Sequence, residues 1–109
     1  MRTMRVIVTA YSSSTRETDA TPFITASGTH VRDGVVACNT GPFGMRVLLP
    51  QLFKGKLFTI EDRMSDDYEK HPRNRTGLDI WMADSVAAKN FGVDTVEAVI
   101  IDTVGVIGG

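Results

Sequence analysis

Leu57-Phe58-Thr59-Ile60-Glu61-Asp62 alternates large apolar side chains with polar ones, the period of a strand with one buried face. Phe58 and Ile60 share that face, and Asp62 joins them if the strand runs on. A second run, Leu78-Asp79-Ile80-Trp81-Met82, sets Leu78 and Ile80 on one side and Asp79 and Trp81 on the other. A carboxylate among apolar neighbours is costly unless it is paired or used. Asp62 and Asp79 are therefore the expected working residues.

Similar short runs of β-branched and apolar residues recur between turn formers, near 5–11, 34–38, 45–49, 56–61, 77–82 and 94–102. That spacing predicts an all-β domain with one or two short helices. Ser12 to Pro22 is polar without period and reads as a loop. Thr40-Gly41-Pro42-Phe43-Gly44 reads as a tight turn between strands. One helix is signalled by Asp84 or Ser85 as its cap, Val86 to Phe91 as its body and Gly92 as its left-handed stop. The tail 103–109 reads either as a short edge strand or as a frayed end.

At 109 residues the chain suits a single domain, able to bury a core without disulfide or metal staples. Its 42% hydrophobic and 23% charged composition favours neither disorder nor a membrane class, and its longest apolar runs are too short to span a bilayer. A net charge of -1 gives no general attraction to nucleic acid. Cys38, the only cysteine, excludes an internal disulfide and is expected as a small buried hydrophobe in Val35-Val36-Ala37-Cys38.

Between the two acids lies a charged segment from Arg63 to Gly77, with four Lys or Arg against three acids, expected as an exposed loop. Its cationic end, including Arg73 and Arg75, suits either solvent or a carboxylate-bearing substrate. Asp62 is read as ion-paired with Arg63, Arg73 or Arg75, or as a catalytic partner of Asp79, and spacing alone leaves both open. Asp62, Asp66, Asp67 and His71 lack the regular ligand spacing and loop glycine of calcium loops. Trp81 and Tyr11 suit either core packing or stacking on a sugar ring. Phosphate loop, zinc helix and nucleophile elbow are absent from the sequence, and His30 and His71 have no evident nucleophile partner. No metal and no cofactor is expected.

The ordered set Thr9-Ala10-Tyr11, Thr25-Ala26-Ser27-Gly28, Gly34-Val35-Val36-Ala37, Pro42 to Val47, Glu61-Asp62, Leu78-Asp79-Ile80-Trp81 and Ala87 to Gly92 resembles the bacterial three-aspartate (3D) domain over nearly the whole chain. The resemblance implies a six-stranded double-psi β-barrel, shared with the catalytic domain of membrane-bound lytic transglycosylase A and with stationary-phase wall-remodelling proteins. It also implies a lytic transglycosylase, cleaving the bond between N-acetylmuramic acid and N-acetylglucosamine in the peptidoglycan glycan strand and leaving a 1,6-anhydro end. Carried over by position, Asp79 falls on the general acid and base, and Asp62 on the acid that supports it. Tyr11, Thr25, Ser27, Asn39, Arg63, Arg75 and Trp81 are the expected substrate-binding residues.

Two positions depart from the family pattern. Asn39 stands where the family has its remaining aspartate, keeping hydrogen bonding but not the charge. The charged loop 63–75 replaces a shorter Thr-Gly-Gly-rich link. The rival expectation is a barrel that binds wall glycan, or builds a larger assembly such as a phage particle, without catalysis. No export signal is expected after Met1-Arg2-Thr3-Met4, which suits a phage-encoded or virion-borne protein acting on the bacterial wall.

Overall fold

Each alternating run of the sequence becomes a strand, because each has one apolar row to bury against the others. A computed structural model describes residues 2–13 and 23–101. The strands are β1 (Arg2–Tyr11), β2 (Val35–Ala37), β3 (Arg46–Leu48), β4 (Leu57–Asp62), β5 (Gly77–Trp81) and β6 (Asp94–Ile101), with helix α1 (Ser85–Phe91) between β5 and β6. Most of the polar loop expected over 12–22, and the tail 103–109, lie outside the described residues.

The strands pair in the closed order β1-β5-β2-β4-β3-β6, with β6 returning to β1. The pairs β1/β5 and β2/β4 are parallel. The other four are antiparallel. β1 starts at Arg2, earlier than the alternation alone predicts, because its ladder with β6 continues from Val8↔Asp94 down to Arg2↔Ile100.

Inside the ring, Val6 and Val8 of β1 meet Val36, Val47, Phe58, Ile60, Leu78, Ile80 and the β6 residues Val96, Ala98 and Ile100 in one apolar cluster. Cys38 belongs to it too, as a buried free thiol whose Sγ donates to the carbonyl of Thr40 at 3.1 Å. A fully buried Phe58 or Ile60 is worth about 1.5–3 kcal/mol relative to exposure, so this inner row is what commits the strands to their faces.

The expected turn over 40–44 forms, with Gly41 and Gly44 at φ 85° and 90°, where a side chain would be strained. Gly44 then donates its N–H to the carbonyl of Ile60 at 2.8 Å. α1 starts as the sequence predicts: the Asp84 carboxylate accepts from the Val86 N–H at 2.9 Å, and Gly92 ends the helix at φ 74°. No helix among the described residues is long and apolar enough to cross a membrane.

One register differs from strict alternation. Val35 faces Thr59 and Val36 faces Ile60, but Ala37 faces Asp62, so the pairing passes over Glu61. The bulge moves Asp62 off the Phe58 and Ile60 face where alternation puts it, and into the row of Ala37. Ala37 is buried yet alternates with the inner Val36, so that row lies on the outer wall of the ring.

Candidate functional site

Three pairings bring the two acids into one row. Asp79 of β5 has Thr9 and Ala37 as its Cα partners, and Ala37 has Asp62 on its other side. Thr9, Asp79, Ala37 and Asp62 therefore run across four neighbouring strands. Cross-strand partners share a face, and two strand spacings put the two aspartate backbones roughly 10 Å apart. Tyr11 and Trp81, themselves paired, sit two residues further along on the same face.

Asp79 is half-buried and its Oδ1 accepts the hydroxyl of Thr9 at 2.9 Å. Asp62 is only 3% exposed and is gripped from three sides. Its Oδ2 accepts the Tyr11 hydroxyl, and its Oδ1 accepts the N–H groups of Ala26 and Arg63, each at 3.0 Å. Donors on both oxygens fix where the carboxylate points. None of the arginines weighed as its ion-pair partner holds it by a guanidinium: Arg63 reaches it through its backbone N–H.

Arg63 is used elsewhere. Its guanidinium donates to the carbonyl of Cys38 at 2.6 Å and lies 4.0 Å from the centre of the Phe43 ring. Arg75 stacks on Tyr68 at 4.3 Å. Asn39 accepts the Met64 N–H at 2.7 Å through Oδ1 and donates through Nδ2 to the Ser65 carbonyl at 3.1 Å and the Tyr68 hydroxyl at 3.4 Å. The loop 63–75 is mostly exposed, as expected, but it is tied down by these contacts and ends in a tight helical turn, Pro72–Arg75. Gly77 permits its closing approach, since a Cβ there would stand 2.8 Å from the Arg73 carbonyl oxygen.

Of the Thr25 and Ser27 hydroxyls expected to bind substrate, that of Ser27 bonds a carboxylate that sequence reasoning gave no role, and that of Thr25 bonds its neighbours. Glu61 is 8% exposed and accepts from Ser27 Oγ at 3.4 Å, Thr29 Oγ1 at 3.1 Å and Arg32 Nη2 at 3.2 Å. Thr25 lies 3.0 Å from Ser27 and 2.8 Å from Thr29, hydroxyl to hydroxyl. The adjacent pair Glu61-Asp62 was the only sequence signal for this cluster, and alternation points its two members to opposite faces. Trp81, the other aromatic candidate, is half-buried and donates its Nε1–H to Ser13 Oγ at 3.1 Å.

Among the described residues, no group of three or more His, Cys, Asp and Glu side chains is placed to hold a metal ion, so Asp62, Asp66, Asp67 and His71 do not converge. The row holds two carboxylates of different character. One is buried and held by three donors, and the other is half-buried beside a hydroxyl. Comparison with protein-family models and with curated proteins finds no match for this chain.

Proposed function

We propose that the protein is a peptidoglycan lytic transglycosylase built on a double-psi β-barrel, with Asp79 as its general acid and base. The observation that carries this reading is the shared partner: Asp62 and Asp79 both face Ala37 on the outer wall. The closed strand order with its two parallel pairs supports the barrel type, and the resemblance to the 3D domain supplies the chemistry.

In this reaction protonated Asp79 gives its proton to the glycosidic oxygen as the bond from C1 of N-acetylmuramic acid breaks. The 6-hydroxyl of the same sugar attacks C1 and passes its proton to the Asp79 carboxylate, which restores the acid and closes the 1,6-anhydro ring. No water is consumed. The substrate supplies the nucleophile, so no second carboxylate spaced to activate water is required. Thr9 orients Asp79 through its hydroxyl, and Asp62, fixed by its donors, stands in the same row as the support of that acid. Tyr11 and Trp81 form the aromatic side of the same row.

Mass spectrometry of muropeptides released from purified sacculi tests this. Wild-type protein should yield 1,6-anhydro ends and Asp79→Asn should not. Sacculi left intact by the wild type reject the enzyme. A specific pair of observations favours the second reading, a barrel that binds wall glycan without cleaving it: Asp62 is buried and held by three donors, and Asn39 is committed to the loop 63–75. That reading expects glycan to co-sediment with the protein unchanged. Detection of the protein in purified virions would support a phage role, and secretion with absence from virions would reject it.

A further inference from the structure

We infer that Glu61 is the positioning residue of this site, setting Asp62 in the row of Ala37 and Asp79 by clamping the loop that donates to it. The inference rests on the reading of Asp62 as a site residue. In a regular strand Glu61 and Asp62 point to opposite faces and cannot serve one loop. Here the register passes over Glu61, and both acids take hold of residues 25–29.

The grip is specific at each point. The Ala26 N–H donates to Asp62 Oδ1, while the next residue, Ser27, donates its N–H to the Glu61 carbonyl at 3.0 Å and its hydroxyl to Glu61 Oε1. Thr29 donates to Oε2, and its own N–H donates to Thr25 Oγ1 at 3.1 Å. Since Ser27 and Thr29 spend their hydroxyl protons on Glu61, Thr25 is left to give its proton to one of their oxygens. Every hydroxyl proton in the cluster is thereby directed toward one carboxylate, whose charge Arg32 balances at 3.2 Å. The Thr25 N–H closes the turn onto the Thr29 carbonyl at 2.7 Å, which fixes the direction of the Ala26 N–H between them. Glu61 is itself buried and enclosed by these donors. It acts through Ala26 on Asp62, in the way that outer groups orient working ones.

Amide hydrogen exchange, read together with kcat and KM on sacculi, tests the clamp in Glu61→Ala, Thr29→Val and Thr29→Ser. Glu61→Ala and Thr29→Val should speed exchange at Ala26 by about tenfold or more, the scale of losing one charge-assisted hydrogen bond, while the Ile80 amide in the core keeps its protection. Thr29→Ser restores the hydroxyl and should return Ala26 to the wild-type rate. On the enzyme reading, kcat falls and KM holds. If Glu61→Ala unfolds, the two Thr29 variants decide alone. Ala26 exchange unchanged in Thr29→Val, or as fast in Thr29→Ser as in Thr29→Val, overturns the clamp. A wild-type protein that makes no anhydro ends while Ala26 responds as stated rejects the enzyme and leaves the clamp standing.

Discussion

The hydroxyl of Tyr11, the last residue of β1, donates to Oδ2 of Asp62, the last residue of β4, across 3.0 Å. β1 and β4 are not neighbours in the ring, so this one bond ties together walls that the backbone ladders leave apart.

Removing it should be expensive. Tyr11→Phe keeps the ring and takes one donor from a buried carboxylate, which predicts a loss of about 1.5–3 kcal/mol in urea unfolding. A loss below about 0.5 kcal/mol would mean that the remaining donors to Asp62 suffice without the phenol.

Thr9→Val is nearly isosteric and deletes a hydroxyl that bonds Asp79. On the proposed enzyme reading, anhydro-product formation should fall about tenfold, as expected for a misaligned acid that has lost about 1.4 kcal/mol of support. The thermal midpoint should move little, because Asp79 is half-buried and regains water. Equal rates in the variant and wild type would remove Thr9 from the mechanism.

Asn39→Asp restores the charge of the family pattern but takes away the Nδ2 donor that holds Ser65 and Tyr68. It also sets a carboxylate against the Ser65 carbonyl. Limited proteolysis should therefore cut the loop 63–75 sooner in the variant, with cleavage sites confined to that loop. Unchanged cleavage would show that Arg63 on Phe43 and the Met64 N–H suffice to hold it.

Gly77→Ala forces a methyl group to within 2.8 Å of a backbone oxygen of Arg73, where no flexible side chain can yield. The predicted cost is about 1–3 kcal/mol. Ala at Gly28, whose surroundings are open but whose φ is 92°, separates backbone strain from crowding. Chemical denaturation of both variants makes the comparison.

The strands and the helix were legible because each rests on local chemistry: Phe58 and Ile60 repeat every second residue, and Asp84 caps what Gly92 ends. The two acids were legible as charges out of place. Their relation was not, since Ala37 joins them through one parallel and one antiparallel pairing between segments far apart in the chain. Nor was the bulge visible, because nothing in Ile60-Glu61-Asp62 announces a skipped residue. That single slip reversed the face expected for Asp62 and hid Glu61 beside it. Arg63 and Arg75 looked like free cations because their aromatic partners, Phe43 and Tyr68, are brought to them only by the fold.

The ring order has a kinetic consequence. Of its six pairings only β3 with β4 joins consecutive strands, so nearly every ladder must wait for a distant part of the chain to arrive. Chains dominated by such non-local pairings fold on the order of milliseconds to seconds, with loop closure paid before any ladder rewards it. β1 gains its partners only when β5 and β6 have emerged, so a ribosome-bound chain holds β1 unpaired until those residues arrive. The row of Thr9, Asp79, Ala37 and Asp62 draws on β1, β2, β4 and β5, so it is complete only once β5 has joined strands that precede it by tens of residues.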